Sequence, residues 1–204
     1  IKKSNLIRIG RKFDGGYVID KRIINKTKII ITCGLNDEWS FEADFQKKNK
    51  KCKVIAYDHT INNIFWIKRF KRDFISFLLL KKLKPNKIFD VFKYFDYLNF
   101  FRGNNKHFTK KIVYKKKKPN ETTINDALRN CKNILLKVDI EGDEYKILKD
   151  INKNSKKINL LIIEFHQVFK NINKIKNFLS KSSFKLIHIH ANNYGGLNLK
   201  NSPN

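Results

Sequence analysis

The sequence predicts an α/β fold with a mostly parallel central sheet and helices on both faces. Three observations carry this prediction. Strand-like and helix-like segments alternate from about residue 28 to about residue 190, which is the pattern of βαβ units. The near-continuous apolar run from Asn159 to Phe165 suits a strand buried on both faces. Successive strand-like segments end in Gly34, in Asp58 and in Asp139-Ile140-Glu141, and open α/β sheets bind ligands just beyond the carboxyl ends of their strands.

The elements follow in order. Residues 7–19 read as a short strand, a turn at Asp14-Gly15-Gly16, and a second strand from Tyr17. The first core strand spans about 28–33. A helix fits 37–49, with Phe41 and Phe45 four apart on one face. The second core strand is about 53–58. Residues 61–83 form a basic, aromatic helical region that Pro85 ends. Helix and loop share 86–106, and 107–114 resembles a strand. Thr123 is an N-cap for a helix at 124–131, with Asp126 in its first turn. Further strands fall at 133–139, 159–165 and 184–190, separated by helices at 142–151 and 170–181. The tail Asn192-Asn193-Tyr194-Gly195-Gly196 is a loop.

At 204 residues, one domain spanning 1–204 is the default, with the basic aromatic stretch at about 61–106 as an insertion. The chain begins at Ile1 and contains no Met, so it is expected to be a piece of a longer or processed protein. No window reaches the roughly 18 apolar residues of a membrane span. The three cysteines (Cys33, Cys52, Cys131) show no metal-ligand spacing and read as buried thiols in a reducing, cytoplasmic setting. The net charge of +27 attracts nucleic acid, anionic membrane or acidic glycan. However, the excess is mostly Lys, and the Lys, Asn, Ile and Phe mixture is what an AT-rich genome produces by codon bias. The interleaved aromatics and cations from Trp66 to Lys84 leave three readings open: a solvated helix, a peripheral membrane-surface helix, or a nucleic-acid or glycan surface.

A Gly turn after the first core strand and an acid at the end of the second suit a nucleoside-type cofactor. Dinucleotide sites want G-x-G-x-x-G to cradle a pyrophosphate. Here Gly34 stands alone in Gly34-Leu35-Asn36. S-adenosylmethionine carries no phosphate, so one close backbone approach and an acid for the ribose hydroxyls suffice, and the pattern fits it better.

Six blocks stand in order along the chain: Arg11-Lys12-Phe13-Asp14-Gly15-Gly16-Tyr17-Val18-Ile19, Cys33-Gly34-Leu35-Asn36-Asp37-Glu38-Trp39-Ser40-Phe41-Glu42, Tyr57-Asp58-His59-Thr60, Thr122-Thr123-Ile124-Asn125-Asp126, Lys137-Val138-Asp139-Ile140-Glu141-Gly142, and Ile163-Glu164-Phe165-His166. On these blocks the chain resembles the FkbM-type methyltransferases, S-adenosylmethionine-dependent enzymes of Rossmann-like fold. The K-x-D-x-E-G block is the most specific. The resemblance implies O-methylation of a sugar, glycan precursor or related small metabolite. It implies that Glu42 neighbours the cofactor.

Among individual residues, Gly34, with Leu35 and Asn36, is expected to let the backbone approach the cofactor. Asp58 is expected to accept from the ribose diol, and His59 to border the adenine. Asp14 with Gly15 and Gly16 is expected to clamp the methionine end. Asp139 and Glu141 sit two apart on one strand end and so face the same side. A hydroxyl acceptor needs a base as its new bond forms. Asp139 is the first choice for base or for metal ligand, Glu141 for positioning, and His166 is an alternative base. Glu164 and His166 could complete a divalent-metal site with Asp139. His188 and His190 share a face of the last strand, where one is expected to reach the acceptor pocket. The rival readings are an RNA methyltransferase and a non-catalytic module binding nucleic acid or membrane.

Overall fold

The computed structural model describes residues 5–12, 15–78 and 92–190. Asp14, the stretch 79–91 and the loop expected at 192–196 lie outside the described residues.

A parallel sheet of five strands forms the centre. Its strands are β3 (Ile29–Cys33), β4 (Lys53–Tyr57), β5 (Lys106–Phe108), β8 (Ile134–Val138) and β9 (Ile158–Ile163), in the spatial order β5-β4-β3-β8-β9. An antiparallel hairpin of β1 (Leu6–Gly10) and β2 (Gly16–Asp20) packs beside it. A small parallel pair, β6 (Lys111–Ile112) and β7 (Glu121–Thr122), lies between β5 and β8 in the chain. The helices are α1 (Ser40–Lys48), α2 (Asn63–Leu78), α3 (Lys93–Phe100), α4 (Ile124–Ala127), α5 (Glu144–Lys153) and α6 (Val168–Lys181). This is a Rossmann-like fold with helices flanking a parallel sheet, as the alternation of segments predicts.

Every residue of β8 is buried because apolar layers cover both faces. Ile134, Leu136 and Val138 face one layer, with Ile124, Leu128, Ile147, Ile151 and Phe178. Leu135 faces the other, with Phe41, Phe45, Ile9 and Ile19. Phe41 and Phe45 thus share the predicted inward face of α1. A third cluster gathers Leu35, Trp39, Ala56, Ile61 and Trp66, backed by Tyr94 and Tyr97.

Several expectations need correction. The helix expected at 124–131 ends after one turn. The chain leaves it through Asn133, at φ +56°, to launch β8. Asn is a weak helix former that tolerates the left-handed region. The strand expected over 107–114 splits, because Lys110 N–H bonds back to the Phe108 carbonyl at 2.7 Å and turns the chain out of the sheet. β9 is not buried on both faces: Leu161, Ile162 and Ile163 are half-buried, since β9 ends the sheet among the described residues. Residues 184–190 form no ladder. Phe184 and Ile187 touch the core layers, but an alternating pattern becomes a strand only where a neighbour's backbone receives it.

Candidate active site

The parallel ladder continues one step past four strands. Gly34 N–H bonds the Tyr57 carbonyl at 2.9 Å, and Asp58 N–H bonds the Phe108 carbonyl at 3.1 Å. Asp139 N–H bonds the Cys33 carbonyl at 2.8 Å, and Glu164 N–H bonds the Val138 carbonyl at 2.9 Å. Gly34, Asp58, Asp139 and Glu164 are therefore side by side along the carboxyl edge of the sheet, held by backbone.

Gly34 sits at φ +81°, and a Cβ there would lie 1.6 Å from the Asp139 carbonyl oxygen. The glycine is required first by the chain itself, because the β3 and β8 ends meet at this point; closeness to a ligand comes second. Asp58 holds the following turn. Its Oδ2 accepts from the N–H groups of Leu35 (2.9 Å) and Asn36 (2.8 Å). Its Oδ1 accepts from Thr60 N–H (2.8 Å) and Thr60 Oγ1 (2.6 Å). Burial alone would raise this carboxyl, but the bonds from Thr60, Asn36 and Leu35 outweigh it and hold it below the ordinary value. Four donors use a carboxylate's ordinary capacity. A ribose diol would have to replace one of them, and Thr60, an exposed residue whose hydroxyl is the one side-chain donor of the four, is the candidate. His107, which sequence reasoning missed, braces this corner. Its Nδ1 lies 2.6 Å from Tyr97 Oη and its Nε2 lies 3.0 Å from the Asp58 carbonyl, and burial depresses its basicity.

Beyond β8 the chain passes through Glu141 (φ +54°) and Gly142 (φ +98°) before α5 begins. A left-handed non-glycine residue is uncommon, and here it turns the chain between the end of β8 and α5. Glu141 swings its exposed carboxylate to 3.4 Å from His166 Nε2, while Asp139 Oδ1 is 3.7 Å from the same nitrogen. On the other side of the ring, Glu144 Oε1 is 3.4 Å from Nδ1. Glu144 is wholly buried. It accepts from His166 N–H and Gly142 N–H, both at 2.7 Å, and so ties the two loops together. Its carboxyl lies below the ordinary value because these bonds outweigh burial. Sequence reasoning missed Glu144; a Glu two residues past a left-handed Gly, in the first turn of a helix, was its signal.

The charges sort the candidate bases. The Glu144 carboxylate, above all, raises His166 to about 9, with Glu141 and Asp139 assisting. The three carboxylates around the ring favour its protonated form, which weighs against the base role expected of His166 and for a positioning role. Asp139 moves the opposite way. Burial and then the neighbouring Glu164 carboxylate push it up to about 6, which suits a base working near neutrality. Glu164 also faces Tyr17 Oη at 3.4 Å. Asp139, Glu164 and His166 offer ligand atoms that all lie within 4.8 Å of one another.

Glu42 is wholly buried. Its Oε1 accepts from Thr32 Oγ1 at 2.6 Å and from Lys137 Nζ at 3.1 Å. Lys137 lies over the rings of Tyr17 and Phe41. The Glu42 Oε2 atom has no hydrogen-bond partner among the described residues. Gly15, at φ +79°, and Gly16 pack tightly: Cβ atoms there would lie 2.8 Å from the Glu38 side chain and 2.0 Å from the Arg11 carbonyl. Arg11 pairs with Glu38 at 2.7 Å, so the hairpin lies against the loop after β3. His59 is exposed and makes no side-chain contact with the cluster. His188 and His190 stack on each other, ring centroids 6.1 Å apart, on the 184–190 segment, which joins no ladder among the described residues. Cys33 and Cys52 are free, buried and pushed to about 12 by burial, so they are inert.

A parallel sheet with a glycine turn, a clasping acid and an acid cluster at consecutive strand ends defines the Rossmann-like methyltransferase class. The family model described as the methyltransferase FkbM domain matches residues 32–186, and the chain belongs to that family. No curated protein and no solved structure matches it.

Proposed function

We propose that this protein transfers a methyl group from S-adenosylmethionine to a hydroxyl of a sugar, a glycan precursor or a related small metabolite. The observation that carries the reading is the place of Asp139, a strand-end carboxylate 3.7 Å from His166 Nε2, bonded through its N–H to the Cys33 carbonyl beside the Gly34 turn and pushed up by burial and by Glu164.

The residues fit the cofactor. The Gly34-Leu35-Asn36 turn lacks a phosphate cradle and is closed by Asp58. The unpartnered Glu42 Oε2 is a buried acceptor open to a donor group. When bound, the cofactor supplies an electrophilic methyl on a sulfonium. The protein's own work is to align the acceptor oxygen, which by itself can supply much of the acceleration, and to remove its proton. Asp139 takes that proton. His166 faces the carboxylate and offsets part of its charge, while Glu141 approaches the same ring nitrogen and holds the imidazole in place. Asp139, Glu164 and His166 are also the right residue types for a divalent cation. Such a cation would polarise the acceptor hydroxyl, and His166 would have to release its proton to ligate.

The test is a calorimetric titration with S-adenosylmethionine and its demethylated product, followed by labelled-methyl transfer to panels of sugars and to RNA, with and without chelator. Micromolar binding that Asp58→Ala loses, and label in ether linkage on a sugar hydroxyl, are the expected results. Failure of the wild-type protein to bind the cofactor, or label on RNA alone, overturns the proposal. Activity that chelator abolishes selects the metal-assisted form.

A further inference from the structure

Helix α2 is docked with its polarity reversed. An amphipathic helix on a protein surface turns its apolar stripe to the core and its charges to water. The inward face of α2 carries Trp66, Arg69 and Asp73. Trp66 packs on Trp39, Tyr94 and Tyr97. Arg69 pairs with Asp73 at 3.2 Å and with Asp37. The outward stripe is apolar: Ile64 is 63% exposed, Ile67 55%, Phe70 45%, Phe74 42% and Ile75 52%. Helix α3 repeats the pattern, with Tyr94 and Tyr97 inward and Phe95 and Leu98 outward. Such an assembly of exposed large apolar side chains marks an interaction surface.

The charges on that surface identify what covers it. Lys68 and Lys71 are exposed within the stripe, and Arg72 is exposed beside it, where it pairs with Asp73 at 3.1 Å. The single acid of α2, Asp73, is turned inward. Apolar side chains framed by cations, with no anion among them on α2, complement a layer that is hydrocarbon below and anionic above. Long Lys and Arg stems reach headgroups while their neighbours enter the acyl boundary. A second copy of this chain would bring the same three cations against each other, in a molecule of net charge +27. We infer that the outer face of α2 docks the protein on an anionic bilayer surface; α3, which carries the exposed Asp96 beside Phe95, is not part of that face. Because Arg69 and Lys93 both reach Asp37, next to the Gly34-Leu35-Asn36 turn, this docking face shares a wall with the candidate active site.

The full chain is tested by flotation with vesicles of phosphatidylcholine alone and of phosphatidylcholine mixed with phosphatidylglycerol. Three variants are compared: Ile67→Ser/Phe74→Ser, Lys68→Glu/Lys71→Glu, and Lys50→Glu/Lys51→Glu. The last pair precedes β4, at the opposite end of the sheet, and makes the same change in net charge. All the substituted side chains are exposed, and circular dichroism checks that each variant folds. The wild type is expected to float only with the anionic vesicles. Both α2 variants should lose about tenfold or more in partitioning, while the Lys50/Lys51 variant stays within about twofold. Absence of wild-type flotation overturns the inference. So does equal loss in the Lys50/Lys51 variant, which would reduce the effect to overall charge. Retention by Ile67→Ser/Phe74→Ser, or sedimentation as a dimer that this variant dissociates, also overturns it. Cofactor titration of the same variants reads out separately, so failure here leaves the methyltransferase proposal standing.

Discussion

Replacing Asp139 with Asn should destroy turnover and stabilise the fold at the same time. The carboxyl is raised from 3.8 to about 6 by burial and by Glu164. A group raised in the fold is worth most to stability when protonated. That contribution is complete below the unfolded value and is lost as pH climbs through the folded one. Two units correspond to about 3 kcal/mol of penalty on the ionised form at neutral pH. The side chain is 31% exposed, so solvent screening reduces the gain on removing the charge to about 1 kcal/mol. Asp139→Asn should therefore melt about 2–4 °C higher than wild type at pH 7.5. The difference should shrink as pH falls from about 6 and vanish below about 4. Loss of the base should lower turnover by about 10²–10⁴-fold. For the wild type, turnover per unit of free enzyme should rise with pH to a plateau above about 6 and fall again near 9, where His166 loses its proton. Glu164→Gln removes the second cause of the shift and should move the acid limb downward. Scanning calorimetry at several pH values, with single-substrate kinetics, measures all of this. A variant less stable than wild type at pH 7.5, or an acid limb unmoved by Glu164→Gln, would refute the reasoning.

Two further outcomes follow from the geometry. Gly34→Ala forces a Cβ toward the Asp139 carbonyl at a positive φ, and should cost at least about 2 kcal/mol; a thermal midpoint unchanged within about 1 °C would show that the β3 and β8 ends do not meet as described. Thr60→Val removes a 2.6 Å donor from Asp58 Oδ1 and should cost about 1 kcal/mol in the apo protein while leaving cofactor affinity within about threefold, because the ribose diol takes the vacated lone pair; affinity lost as fully as in Asp58→Ala would overturn that exchange.

The strand ends were legible in the sequence because their signals are local: an apolar run, then an acid or glycine, then helix periodicity. Asp58 and Asp139 were found in this way. What those acids touch was not legible. Asp58 is closed by N–H groups from a loop more than twenty residues earlier, and Glu144 reaches His166 across two loops, so the sign of the His166 shift appears only once three carboxylates are set around it. The amphipathic period of α2 was visible as well. Nothing in a period says which side faces inward, and Trp66 with the Arg69–Asp37 pair decides it. The 184–190 segment failed for the complementary reason, since strand character there depends on a neighbour that the pattern cannot supply.

The register of the sheet also bears on how the molecule comes to exist. Central strand β3 pairs on one side with β4, a near neighbour in the chain, and on the other with β8, where Ile29 meets Ile134. A nascent chain leaving the ribosome can zip β3 to β4 early. It must then hold the opposite edge of β3, with its bare amides and carbonyls, until most of the polypeptide has been made. Contacts so far apart in sequence form slowly, and an open strand edge recruits other chains in the meantime. Synthesis conditions and chaperone supply, more than final stability, should set the yield of folded protein, and the two halves of the carboxyl edge are joined only in that late event.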